Sequence, residues 1–597
     1  MLLRKLLILA VLPVCIYSLA FSQTEAVVSG KIINAKKDSL ISTYSQAGTL
    51  GKTKVVKTPF VKNHDSLTPQ QWQDDLNYLQ KKVHQDYSNL FYNITANQFD
   101  SAVQLFRHRI PQLTANEIKT EFYRLIALFR IGHTGISFIS GANTGTSKTL
   151  FHYYPFSAYL FSDGLYIKSI AARFKDALGG KIIQVGNTPV DEALKRLHDV
   201  IPCENESYFR ANLPYYINLP ELLNGLHITP EANNLSLKYV KNGSEHTLLV
   251  PAEPFPEKAW HPEPYLAQGW VDAYPAFNTP SSALWLKHPN TSRYFEYLQT
   301  SKVLYVRHST VHDNDDETIR GFFEKVFTFA DAHEVDKFIL DIRLNAGGNN
   351  YLNKPVITGI IQSRKINRYG HLFVIIGPAT FSAAQNLANE LEKYTEALFV
   401  GSPTGETVNY WGDIKKEELP NSHMQVALSW LWWQNMDPRD KRPYMPPHLA
   451  ADMSFDNYRS GFDSSLHVAL GFHSRTNIHT QLEKLAKAGE IDAIVATVQS
   501  YMANPLHRFR RYELEEKLNE LGYSLLQRNK LHEASRLFAM AVHFFPQSAN
   551  AYNSYAESLY HLGKKEEAIK QYQRALALDP NGVVGEDCRK MLLLLKQ

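Results

Sequence analysis

The sequence predicts an α/β core held between helical regions, and three observations carry that reading. Three apolar strand-like runs, at 338–342, 372–376 and 397–400, each stop at a glycine-containing turn, with helical spacing in between. Apolar residues recur at three- and four-residue spacing before residue 130 and again after residue 476. Near the C-terminus, Leu518, Gly522, Leu525, Ala534, Phe538, Ala541 and Pro546 recur 34 residues later as Tyr552, Ala556, Leu559, Ala568, Tyr572, Ala575 and Pro580. Strand–helix–strand order implies a parallel sheet with right-handed crossovers, whose carboxyl-edge turns gather where sites form.

The N-terminus has Arg4 and Lys5, an apolar run from Leu6 to Leu19, then Ala20-Phe21-Ser22. This predicts a signal peptide over 1–22 and an exported protein, periplasmic, extracellular or cell-surface associated. The apolar run is short for a membrane span, and no later stretch reaches the twenty or so residues a span needs. Cys203 and Cys588 would remain after cleavage; they fall in different predicted domains, so no disulfide framework is expected. Lys and Arg number 63 against 59 Asp and Glu, with the signs mixed along a chain of 597 residues, which gives no reason to expect nucleic acid as a partner.

Residues 23–65 are polar and read as a flexible lead. A helical subdomain follows over 66–150, opening with Thr68 as cap of a helix carrying Trp72, Leu76, Leu79 and Val83. It ends at Gly132-His133-Thr134-Gly135, where helical spacing gives way to strand alternation. Residues 151–252 read mostly as strands with one short helix around Ala193, Leu194 and Leu197, and Leu235–Val240 pairs with Thr247–Val250 across Asn242-Gly243. A proline- and aromatic-rich linker occupies 253–282, and the domain that carries the chemistry runs over 283–475. Its Trp430-Leu431-Trp432-Trp433 segment is either a substrate wall or core, core being the expectation. The helical tail over 476–597 holds two repeats of tetratricopeptide period, about 515–548 and 549–582, with flanking helices near 478–502 and 583–595 to cap the stack.

Ser382 lies between the apolar run at 372–376 and a helical stretch through Leu387 and Leu391, where a strand-to-helix turn would expose it. Ser382 with Gln385 also fits a capping box, a purely structural device. Taken together, Asp341, Arg343, Asn345, Gly347 and Gly348, then Thr380 and Ser382, then Thr404 and Gly405, resemble the C-terminal processing (tail-specific) peptidases and their tricorn-like relatives. The resemblance implies a crotonase-like core, a serine nucleophile at Ser382, and a PDZ-like module over 151–252 that would bind extended peptide by strand addition or serve as a spacer. It implies a polypeptide substrate and no cofactor, and no metal-ligand spacing of the His-Glu-x-x-His or Cys-x-x-Cys type is present.

A serine hydroxyl needs a neighbouring base. The tail-specific branch uses a lysine about two dozen residues after the serine; here that segment, 405–412, has none, and Lys415 and Lys416 lie beyond Asp413. The tricorn-like branch uses a histidine from the N-terminal part, and His133 occupies that place, although Gly132 replaces the serine that precedes it there. Glu406, Asp413, Asp437 and Asp440 are the candidates to orient the base. Backbone N–H groups of Gly347, Gly348 and Ala383 are the candidate oxyanion donors. Asp341, Arg343 and Asn345 are expected to shape the strand-end turn rather than react. The competing expectation is an inactive scaffold that binds protein partners through its PDZ-like and tetratricopeptide parts.

Overall fold

The computed structural model describes residues 67–140, 151–254, 269–277, 279 and 281–595, and short strands at 27–28, 31–32 and 148–149. The predicted signal peptide and most of the polar lead lie outside the described residues, as does most of the proline-rich linker. Within 1–51, Val27–Val28 pairs antiparallel with Lys31–Ile32; everything below concerns residues 67–595.

Three helices open this unit: α1 (Pro69–Asp86), α2 (Ala96–Arg109) and α3 (Ala115–Ala127). Thr68, Thr95 and Thr114 cap them in turn, each in a reciprocal capping box with Gln71, Gln98 or Glu117, so each start is set locally. Their apolar faces bury Trp72, Leu76, Phe99, Val103 and Phe122 against one another. The chain then forms the short strand β1 (Gly135–Ile136).

The middle module is a twisted antiparallel sheet containing β2 (Phe156–Phe161), β3 (Gly164–Ala171), β4 (Lys181–Val185), β5 (Asn234–Lys241), β6 (Ser244–Pro251) and β7 (Trp270–Asp272). The β5–β6 hairpin turns at Asn242 and Gly243, both at positive φ, with Leu235 opposite Val250. The module carries three helices where one was expected: α4 (Val190–His198), α5 (Glu206–Tyr216) and α6 (Pro220–Gly225). Pro214 inside α5 and Pro220 at the start of α6 interrupt the sequence pattern, yet both helices are buried enough to be held by packing. The end of the predicted linker is likewise a strand, β7, paired with β3, and Tyr274 just after it is buried.

The domain that holds Ser382 is a six-stranded sheet in the order β8 (Arg293–Leu298), β9 (Val303–His308), β10 (Lys337–Asp341), β11 (Leu372–Ile376), β12 (Leu398–Gly401), β15 (Leu449–Ala450). From β9 onward all neighbours are parallel; β8 is an antiparallel edge. The crossovers contain α7 (Ile319–Ala332), α8 (Lys354–Gln362) and α9 (Ala383–Tyr394). Strands β10 and β11 are buried at every position, as a doubly covered parallel sheet requires.

Between β12 and β15 the hairpin β13 (Tyr410–Glu418) and β14 (Gln425–Trp433) leaves this sheet and takes β1 as its third strand, with Val426 opposite Ile136. Trp430 on it is exposed and the other aromatic residues of that segment are half-buried, so the expectation of a tryptophan core is corrected: in a ribbon paired along its edges, one face still meets solvent.

Two helices, α10 (Phe455–Ser460) and α11 (Ser464–Gly471), close the domain. The tail stacks α12 (Ile478–Ala488) and α13 (Ile491–Ala503) on the pairs α14 (Glu513–Gln527) with α15 (Leu531–Phe544) and α16 (Ala549–His561) with α17 (Lys565–Leu578), ending in α18 (Val583–Leu595). Recurring Leu518, Ala534, Phe538, Ala556, Ala568 and Tyr572 are all buried between helices. No helix among the described residues is long and apolar enough to cross a membrane.

Candidate active site

Two glycine turns and one strained serine build the nucleophile. After β10, Arg343 donates to Asp341 through its amide and Nε at 3.1 and 3.0 Å and forks onto Asp463 at 2.9 and 2.8 Å, while Tyr305 donates to the far oxygen of Asp341 at 2.7 Å. These groups are buried and mutually satisfied, so Asp341 and Arg343 fasten the strand end to the 463 loop. Asn345 ties the turn down by donating to the His308 carbonyl at 2.9 Å and accepting from Gly347 N–H at 2.9 Å. Thr380 spans β10 and β11, its hydroxyl donating to the Ile342 carbonyl at 3.0 Å. A Cβ on Gly347 would meet Ser382 Cβ at 2.6 Å, and one on Gly348 would meet the Val311 carbonyl oxygen at 2.3 Å. Both sit at positive φ, so glycine is what lets the backbone press against the serine.

Ser382 is the residue before α9 and has φ 55° and ψ −125°, outside the regions a non-glycine residue normally occupies. Its side chain makes no capping hydrogen bond, so the capping-box alternative fails. Its hydroxyl instead lies 3.0 Å from His133 Nε2, across 249 residues of chain. The β1–β14 pairing brings the imidazole there, since Gly135 is two residues from His133 and sits opposite Ala427. The ring is then held by stacking on Phe381, at 4.5 Å between centroids, and on Tyr410, at 5.5 Å with only 2° between planes.

Of the four acidic candidates to orient His133, Glu406 is the one beside it. Its Oε1 stands 2.9 Å from His133 Nδ1, without the in-line approach of a full hydrogen bond, and its Oε2 accepts the Ser382 N–H. Asp437 and Asp440 are drawn instead to Arg439 and Arg442, at 2.9 and 2.8 Å, and Asp413 is exposed on the hairpin and acts on His133 only through its charge. Lys415 stacks over Trp430 at 4.5 Å, and Lys416 is in register with Ala427 on the hairpin.

Sequence reading missed Glu204, from the loop before α5. Its carboxyl accepts the Gly132 N–H at 2.8 Å with one oxygen and the Thr407 N–H and hydroxyl at 3.0 Å each with the other. Nothing local marks this residue; only the cysteine and asparagine around it hint at a turn, and its partners are 72 and 203 residues away.

Burial dominates the electrostatics. It pushes His133 down to about 4, so the ring is neutral at ordinary pH and able to accept a proton. Burial and then the charge of Glu406 raise Glu204 to about 7, and burial raises Glu406 well above the usual carboxylate range. Donor atoms of His133, Glu204 and Glu406 lie within 4.8 Å of one another, a spacing that could also grip a divalent cation.

Of the three amides expected to hold an oxyanion, that of Gly347 is already spent on Asn345, which corrects its assignment. The N–H groups of Gly348 and Ala383 have no acceptor among the described residues, and Ala383 stands at a helix N-terminus, where the dipole favours negative charge. This set can perform nucleophilic acyl transfer: a hydroxyl, a neutral base within hydrogen-bonding reach, a buried carboxyl behind the base, and open amides beside the hydroxyl.

No curated protein matches the chain. Residues 519–583 match the tetratricopeptide repeat family. Among solved structures, mature CPAF complexed with lactacystin is similar at 13% identity and a TM-score of 0.48, over 67% of this chain and 97% of that one. The photosystem II D1 C-terminal processing protease is similar at 13% identity and a TM-score of 0.31, over 67% and 96%. The tricorn protease matches at 11% identity and a TM-score of 0.31, over 67% of this chain and 36% of that one. The chain has an α/β core with a tail that matches the tetratricopeptide repeat family.

Proposed function

We propose that this protein is a serine peptidase, exported by its N-terminal leader, that hydrolyses peptide bonds in extended polypeptide. The observation that carries the reading is the 3.0 Å approach of His133 Nε2 to Ser382 Oγ, with Glu406 2.9 Å behind Nδ1. Ser382 Oγ attacks the scissile carbonyl carbon while Nε2 takes its proton; the oxyanion settles between the Gly348 and Ala383 amides. The imidazolium then protonates the leaving amine, and water, deprotonated by the same ring, releases the acyl group and regenerates the hydroxyl. Glu406 faces the imidazolium in both halves of the cycle. A scaffold without chemistry has no need of a neutral, doubly stacked histidine against a strained serine, so the hydrolase reading is preferred to it. The tetratricopeptide tail and the middle module are the proposed places for holding partner or substrate polypeptide.

A fluorophosphonate probe tests this directly: the wild type should be labelled and Ser382→Ala should not. Equal labelling of both, or none of the wild type, defeats the proposal. Peptide products released by the wild type but not by Ser382→Ala would then establish the substrate class.

A further inference from the structure

We infer that Glu204 is a positioning residue of this active site: its carboxylate clips the His133 turn to the Glu406 loop and supplies negative charge behind the imidazole. The inference rests on the peptidase reading and adds to it a carboxyl from the middle module.

The geometry is that of a staple. One oxygen holds the amide of Gly132, directly before His133, at 2.8 Å. The other holds the amide and hydroxyl of Thr407, directly after Glu406, both at 3.0 Å. The base and its carboxyl partner come from segments 273 residues apart, and this one side chain bonds the neighbour of each. Without it, the His133 turn on this side would rest on Tyr208, whose hydroxyl donates to the Gly132 carbonyl at 2.7 Å. Gly132 leaves no slack, since a Cβ there would meet the Tyr208 ring at 2.6 Å.

Charge gives the second half of the role. Glu204 faces Glu406 and His133 on one side, and on the other a cavity of about 370 Å³ bordered by Arg130, Asp440, Lys441 and Arg442. Two carboxyls this close, one buried and one half-buried, repel each other, so at neutral pH they share less than two negative charges. The imidazolium formed during acylation therefore faces the charge the two carboxyls share, and the hydrogen bonds from Gly132 and Thr407 hold Glu204 in place beside it.

The test measures the second-order rate of fluorophosphonate labelling between pH 5 and 9 in the full-length wild type, Glu204→Gln and Thr407→Val, with Ser382→Ala as the blank. Gln preserves volume but cannot carry charge. Expected for Glu204→Gln are a rate at least about tenfold below wild type at pH 8 and a pH profile of different shape, since the amide cannot accept from both Gly132 and Thr407 or share charge with Glu406. A Gln variant that keeps the wild-type profile, or the wild-type rate at pH 8, overturns the inference while leaving the peptidase reading intact. An unlabelled wild type overturns both. Should Glu204→Gln fail to fold, Thr407→Val decides on the clip: a labelling rate severalfold lower supports it, and the wild-type rate overturns it.

Discussion

The two halves of the candidate site are built by opposite means. The nucleophile half, from Asp341 to Ser382, is held by bonds such as Thr380 to Ile342 and Asn345 to His308, which span no more than 38 residues of chain. The base half joins His133, Glu204 and Glu406, and is fastened from further out by Asp75, whose carboxylate accepts the amides of Asn421 and Ser422 at 2.7 and 2.8 Å across 346 and 347 residues. Tyr78 and Tyr87 likewise donate to Glu417 from the helical subdomain. The first half is preorganised by one domain's own sheet; the second exists only when the helical subdomain, the middle module and the β13–β14 hairpin have docked. Reactivity should therefore be more easily lost by loosening the base than by perturbing the serine turn.

The largest expected effect is at the meeting point. His133→Ala should lower the labelling rate by roughly 10³-fold or more while the protein stays folded; labelling within tenfold of wild type would break the pairing on which the comparison stands. Next, Arg343→Met, which strands the buried carboxylates of Asp341 and Asp463, should cost about 3–5 kcal/mol in denaturant unfolding. Gly347→Ala, forcing a Cβ against Ser382 at positive φ, should cost roughly 1–3 kcal/mol and most of the activity. Asp75→Ala leaves the buried amide of Ser422 and the half-buried amide of Asn421 unpaired and should cost about 1–3 kcal/mol, with a fall in kcat and little change in KM, since it acts on the base half alone. The smallest effect concerns pH: because burial holds His133 down to about 4, a part of the activity should persist at pH 5–6 and vanish only as the ring is protonated below that. Complete loss near pH 6.5 would mean the ring is solvated and the base half open.

Much of the first half is legible in the residues. Gly347, Gly348 and Ser382 announce a close backbone approach and an exposed strand-to-helix turn, and the runs flanking them become β10, β11 and α9. The 34-residue recurrence likewise becomes the two helix pairs of the tail, because each repeat packs on its immediate neighbours. The base half is legible only in part. His133 stands out through its glycine-flanked junction, but choosing Glu406 over Asp413, Asp437 and Asp440 requires knowing that Arg439 and Arg442 take the last two. Glu204 leaves no trace at all, and the prolines in and before α5 and α6 conceal the helices that follow it.

The sequence by itself determined the elements and the nucleophile turn, because caps, glycine positions and apolar periods act over a few residues and need no partner to be recognised. Tertiary structure alone decided which carboxyls stand behind the histidine and what charge they carry. A buried acid is placed by donors hundreds of residues away, and its proton affinity follows from how much water that docking removes.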